Sequence, residues 1–134
     1  MTPPTLDAPS VLVVENNPEV LNLIVSMVAA QGWKPLPARS LAEARRSIAA
    51  ETVNAVISDV ELDDGDGITL VREMRRSAAT PVPTVMMSSY ASPEVRLMAQ
   101  RAGAVELLPK PFRLEQLSSI LSRELQASVA PESR

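Results

Sequence analysis

Residues 11–19 read Val-Leu-Val-Val-Glu-Asn-Asn-Pro-Glu, and this stretch decides the fold. Four consecutive apolar residues suit a strand covered on both faces, as in a parallel sheet, rather than a strand with one wet face. A polar cluster follows at once. Asn17-Pro18 then reads as a helix N-cap with proline at the first helical position. Val20, Ile24, Met27 and Val28 lie at helical spacing behind it, and Gly32 ends the helix. A buried strand that turns straight into a helix is the first half of a strand–helix–strand unit. Its carboxyl end is where a site is expected. That end holds one carboxylate, Glu15, and two amides, Asn16 and Asn17.

The same alternation continues. Trp33–Pro37 is a short strand interrupted by prolines, which places it at a sheet edge. Ser40-Leu-Ala-Glu43 matches a capping box and opens a second helix. Ala55–Ser58 is a buried strand with Asp59 directly behind it, and the polar run "ELDDGDG" reads as a turn. Ile68, Val71 and Met74 mark a helix to Ser77. Val85–Met87 is a strand that ends at Ser88-Ser89. Ser92-Pro93 caps a helix closed by Gly103. Val105–Leu108 is the last strand, and Leu114, Leu117, Ile120, Leu121 and Leu125 stripe a final helix. Five strand–helix alternations predict an α/β fold: a five-stranded parallel sheet sandwiched by five helices. Right-handed crossovers then bring all the strand ends to one edge. The boundaries read as a flexible lead-in over 1–9, one domain over 10–126 and a frayed tail over 127–134.

The totals narrow the chemistry. The chain has 134 residues, 46% apolar and 22% charged, an ordinary balance for one domain. Aromatics are only 2%, so the core is aliphatic. The net charge is -3 with no basic stripe, which argues against nucleic-acid binding. The absence of Cys and His excludes disulfides, thiol chemistry and every His-based triad or relay. No signal peptide and no membrane-length apolar run are present, so the expected location is cytoplasmic, away from the membrane.

The strand ends carry Glu15, Asn16 and Asn17; then Asp59; then Ser88 and Ser89; then Pro109, Lys110 and Pro111. Each alone reads as a solvated turn or cap residue. Two acids, a hydroxyl pair and a lysine on one sheet edge read together as a site.

With these residues in view, the chain resembles the receiver domain of two-component response regulators over about Ser10 to Leu125. The motifs are "VLVVENNPEV", "AVISDVELDDGDGITLVREMR", "VMMSS" and "LLPKPF". The resemblance implies a flavodoxin-like fold with strand order 2-1-3-4-5. It makes Asp59 the phosphoacceptor and Lys110 the lysine that pairs first with its carboxylate and then with phosphoryl oxygens. It makes Ser88 the switch hydroxyl and Ser89 the small neighbour that leaves room for the phosphoryl group. Glu15, Asn16, Asp59 and the backbone carbonyl of Glu61 match the positions that hold Mg²⁺. The Lys110-Pro111 bond matches one that is commonly cis.

Two positions depart from the family pattern. Asn16 stands where an Asp normally binds the metal, so weaker Mg²⁺ binding and slower phosphorylation are expected. An active-like state populated without phosphate is the other consequence, and the sequence does not choose between them. Leu107 stands where many receivers have Tyr or Phe, so either Met86, Met87 and Tyr90 repack instead or the output face barely changes. Asp63, Asp64 and Asp66 make the loop after Asp59 acidic and read as a solvated turn.

The leading expectation is a stand-alone, non-enzymatic receiver, phosphorylated on Asp59 by a histidine kinase or a His-containing phosphotransfer protein. It would signal by contact with a downstream protein, or form a homodimer, through the fourth helix, fifth strand and fifth helix. The alternative is a degenerate receiver that binds its partner without phosphorylation. A flavin or nucleotide binder on the same fold ranks last: no glycine-rich loop follows the first strand, and the chain has only four glycines.

Overall fold

The fold is built outward from β1 (Ser10–Val14). Successive side chains of a strand point to opposite faces. Val11 and Val13 therefore join one apolar layer and Leu12 and Val14 the other, and all four are fully buried. The computed structural model describes residues 8–77 and 81–129. Behind β1 come α1 (Pro18–Ala30), β2 (Lys34–Ala38), α2 (Leu41–Ala50) and β3 (Ala55–Asp59). A hairpin of β4 (Glu61–Leu62) and β5 (Gly65–Asp66) precedes α3 (Gly67–Ser77). Then follow β6 (Thr84–Ser88), α4 (Pro93–Ala102), β7 (Glu106–Pro109) and α5 (Leu114–Val129).

The main sheet is parallel with order β2-β1-β3-β6-β7. Counting only its own five strands, that is the expected order 2-1-3-4-5. On one face α1 and α5 lay Leu21, Ile24, Val28, Leu117 and Leu121 against Val13, Ile57 and Met87. On the other face, Leu41, Ala44, Leu70 and Met74 of α2 and α3 pack on Leu12, Val14 and Val56. Further along that face, Ile68 and Val71 of α3 meet Ala99 and Ala102 of α4 over Met86 and Leu107. Among the described residues no helix is long and apolar enough to cross a membrane.

The caps follow the sequence. Asn17 Oδ1 accepts from the N–H groups of Glu19 and Val20 at 2.9 and 3.2 Å. Ser40 and Ser92 cap α2 and α4 in the same way. Gly32 follows α1, and Gly103 closes α4 at φ 113°, a left-handed conformation that glycine adopts without strain. The capping box differs in one detail: the Glu43 carboxylate reaches Arg39 N–H, one residue before the cap. In α1 the buried stripe is Leu21, Ile24 and Val28, with Val20 and Met27 half-covered at its margin.

The segment read as a turn is the larger correction. Glu61 pairs with Asp66 and Leu62 with Gly65 in a two-stranded antiparallel ribbon. Nor are its acids simply solvated. Asp64 accepts from Leu41 and Ala42 N–H at 2.9 and 3.1 Å, and Asp66 accepts from Ile68 N–H at 2.7 Å. Both carboxylates cap helix N-termini, where unpaired N–H groups and the helix dipole favour negative charge.

At the edge, β2 meets β1 through the N–H of Lys34, bonded to Pro9, and the carbonyl of Ala38, bonded to Glu15. Residues of that parity face β1, so Pro35 and Pro37 fall on the open side. Pro9, the end of the expected lead-in, is thus fastened to the sheet. At the other terminus α5 runs to Val129, into the expected tail. The rest of the lead-in (1–7) and of the tail (130–134) lies outside the described residues.

Gly67 is demanded by a close approach. A Cβ there would collide with the carbonyl oxygen of Asp59 and lie 2.9 Å from Ser58 Oγ. Neither the β3 backbone nor a fully buried serine can yield cheaply. Gly67→Ala is expected to destabilise the fold by about 1–3 kcal/mol, the range for overpacking a closed site; urea unfolding of the two proteins measures it.

Candidate functional site

The register of the parallel strands assembles the site. Val14 lies beside Ser58, Asp59 beside Met87, and Ser88 beside Pro109. One residue further on, Glu15 and Lys110 emerge at the same edge as Asp59 and Ser88.

Lys110 Nζ lies 2.8 Å from Glu15 Oε1 and 3.0 Å from Asp59 Oδ2. Glu15 is wholly buried and Asp59 is 3% exposed. Two carboxylates at neighbouring strand ends thus share one ammonium. Glu15 Oε2 also accepts from Asn17 N–H at 2.9 Å, so both of its oxygens are engaged. Asp59 Oδ1 is buried and has no hydrogen-bond partner. The Lys110-Pro111 bond is cis, as the resemblance implied.

Burial pushes the Asp59 carboxyl up to about 6, helped by the negative charges of Glu15 and Glu61 and opposed by the hydrogen bond and charge of Lys110. Burial lowers the Lys110 ammonium, but its hydrogen bonds to Glu15 and Asp59 outweigh this and hold it above the usual lysine value.

Ser88 is fully buried, and its hydroxyl donates to Glu61 Oε2 at 2.5 Å. Ser89 N–H donates to Glu61 Oε1 at 3.2 Å. Ser88 Oγ in turn accepts from Tyr90 N–H at 2.9 Å. Asn16 turns to the loop: its Nδ2 donates to Asp63 Oδ1 at 3.0 Å. The anticipated residues therefore form three adjoining groups: Glu15, Asp59 and Lys110; Ser88, Ser89 and Glu61; and Asn16 with Asp63. The Glu61 carboxylate, anticipated only through its backbone, has no local signal, because its partners lie 27 and 28 residues away. Leu107 is buried against Met86, whereas Tyr90 is 73% exposed.

The donor set suits a hard cation in part. Among the described residues no three His, Cys, Asp or Glu side chains gather as a metal cluster. The structure leaves Asp59 Oδ1 unpartnered; the other oxygen donors, Glu15, the Asn16 amide and the Glu61 carbonyl, are those the resemblance implies. Mg²⁺ is commonly held by one or two carboxylates with waters and phosphate oxygens, so this set fits a weakly charged Mg²⁺ site.

Comparison with known proteins agrees with this geometry. A family model for the response regulator receiver domain matches residues 11–122, and the chain belongs to that family. Receiver domains are signalling modules that generally bind Mg²⁺ at the acidic phosphorylation site and interact with histidine kinases or phosphotransfer proteins. Regulatory protein AtoC of Escherichia coli K12 is 32% identical over 116 residues, which are 87% of this chain and 25% of AtoC. Protein PetR of Rhodobacter capsulatus is 29% identical over 126 residues, 91% of this chain and 52% of PetR. The chain thus spans about a quarter to a half of these curated relatives. The receiver domain of NtrX from Brucella abortus superposes with a TM-score of 0.79 at 25% identity, covering 87% of this chain and 98% of that one. A CheY-like receiver from Methanospirillum hungatei, 21% identical, shares the fold with a TM-score of 0.84 over 90% of this chain and 96% of its own.

The raised Asp59 value has a sign. A folded value above the unfolded one adds stability below about pH 4, and that stability is lost as pH rises through about 6. At pH 7.5 the buried carboxylate is therefore a cost. Asp59→Asn should be more stable than wild type by about 2–3 kcal/mol there, since each pH unit between the unfolded and folded values is worth about 1.4 kcal/mol. The gap should close toward pH 4. Urea unfolding in metal-free buffer across that range tests both statements.

Proposed function

We propose that this chain is a phosphorylation-controlled receiver switch with Asp59 as the phosphoacceptor. The observation that carries the reading is the Lys110 clasp, which holds Asp59 by one oxygen and leaves Oδ1 unpartnered at the strand edge. A phosphohistidine of a histidine kinase or phosphotransfer protein is the donor. The Asp59 oxygen forms the new P–O bond as the P–N bond breaks, and the imidazole leaves with the electron pair and takes a proton. Lys110 already stands within 3.0 Å of Asp59, so it meets the incoming phosphoryl oxygens without reorganisation. Ser88 and Ser89 supply an O–H and an N–H beside it. Asp59, Asn16 and the Glu61 carbonyl would hold Mg²⁺, with Glu15 acting through water. When bound, the metal would neutralise charge on the transferring group.

Output passes by protein contact on the face of α4, β7 and α5. Leu97, Met98 and Val105 are exposed there, beside a groove of about 260 Å³ lined by Arg96, Gln100 and Glu106 among others. A downstream protein or a second copy of the chain is the expected occupant. Action in the cytoplasm is part of this proposal. One observation favours the rival, a phosphorylation-independent binding module: the Asn16 side chain is tied to Asp63.

Intact mass after incubation with acetyl phosphate and Mg²⁺ decides between them. The switch predicts a gain of one phosphoryl group that Asp59→Ala abolishes; no gain, from acetyl phosphate or from a phosphohistidine donor, favours the rival. Asn16→Asp is expected to tighten Mg²⁺ binding by about tenfold or more, since it restores one full charge near the ion. Equal affinities in calorimetric titration would remove the missing charge as the cause of weak binding.

A further inference from the structure

The Glu61 side chain takes no part in the proposed transfer, yet it makes the tightest contact at the site. Its two oxygens take the Ser88 hydroxyl at 2.5 Å and the Ser89 N–H at 3.2 Å. The first is the length of a charge-assisted O–H···O⁻ bond. Ser88 Oγ also accepts from Tyr90 N–H, so its single proton is committed to Glu61. Two donors from consecutive residues, converging on one carboxylate, form an oxyanion cradle. That cradle adjoins the phosphoacceptor, because Asp59 lies beside Met87, the residue before Ser88. Glu61 is held there by its backbone. It follows Asp59 by two residues, and between them Val60 N–H is bonded to the Met87 carbonyl at 2.8 Å.

We propose that the Glu61 carboxylate is an internal occupant of the cradle formed by Ser88 Oγ and Ser89 N–H, a tethered stand-in for the phosphoryl group that must leave before that group can take these donors. The proposal rests on the receiver reading and adds to it a positioning residue that opposes switching. A tethered group competes at a high effective concentration. The cradle is open to a phosphoryl group only in the fraction of molecules where Glu61 has swung away, and apparent affinity falls by that fraction. A phosphoryl dianion on Asp59 and the Glu61 anion cannot share two donors, so phosphorylation expels the side chain from between β4 and β6. The Glu61 backbone carbonyl is untouched by side-chain substitution, so the test leaves the expected metal donor in place.

The test uses the unphosphorylated chain and three variants: Glu61→Ala, Glu61→Gln and Glu61→Asp. Amide hydrogen exchange at Ser89 is read first, with Val56, whose N–H is bonded to Pro83, as an internal standard. Beryllium fluoride with Mg²⁺ is then titrated as the phosphoryl mimic. Glu61→Ala is expected to speed Ser89 exchange at least tenfold with Val56 unchanged, and to bind beryllium fluoride several-fold more tightly than wild type. Glu61→Asp, one methylene too short, should follow Ala. Glu61→Gln, which can still accept from Ser88 but not from Ser89 as an anion, should fall between. Unchanged Ser89 exchange in Glu61→Ala would overturn the occupation of the cradle by Glu61. Faster exchange with no tighter binding would overturn the competition, as would failure of beryllium fluoride to bind any of the four proteins. The receiver reading is judged separately, by the mass gain at Asp59, so the two can fail independently.

Discussion

One ammonium group between two buried carboxylates sets the terms for the rest of the molecule. Glu15 and Asp59 end adjacent strands, and the pairing of β1 with β3 fixes them side by side. The carboxylates cannot move apart without breaking the sheet. A buried charge left without a partner costs several kcal/mol, and like charges at this spacing add to that. Lys110 lessens the conflict, and it does so from the far strand, 95 residues from Glu15 in sequence. The clasp therefore joins β1, β3 and β7 at one edge. It also leaves Asp59 incompletely satisfied. One oxygen of Asp59 is held, the other is buried without a partner, and burial keeps the carboxyl far above its ordinary value. A site that is tense before its ligand arrives can gain more from that ligand than a relaxed one.

The segment that follows Asp59 distributes its acids with little redundancy. Glu61 goes to Ser88 and Ser89, Asp63 to Asn16, Asp64 to the start of α2, and Asp66 to the start of α3. Six residues thus connect Asp59 with β6, with the end of β1 and with two helices. Gly67 completes the arrangement by letting α3 begin against the Asp59 carbonyl. The acidity that looks like surface solvation in the sequence is a set of four separate hydrogen-bonding roles.

Much of this was legible beforehand, and the reasons are physical. Val11–Val14, Ala55–Ile57 and Val85–Met87 are unbroken apolar runs because both of their faces are covered, and covered strands have no alternation to hide in. The caps at Asn17, Ser40 and Ser92 act within three residues, so local sequence specifies them. The roles of Lys110 and Ser88 came from resemblance, since nothing local says that a lysine will meet an aspartate 51 residues away. The β4–β5 ribbon was not legible: strands of two residues carry no periodicity. Nor were the side-chain roles of Glu61 and Asp64, whose partners come from other elements. In α1 the buried residue is Leu21 rather than Val20, a choice made by how the helix crosses the sheet and not by spacing alone.

The two prolines of β2 bear on how this sheet meets its surroundings. A parallel strand at an edge presents its outward N–H groups to any other extended chain, and such edges invite strand addition and aggregation. Here the outward positions are Pro35 and Pro37, so two donors that an incoming strand would need do not exist. The β2 side of the sheet is chemically blunted against templating, and sheet-to-sheet growth is disfavoured there. Association on that flank is left to side chains.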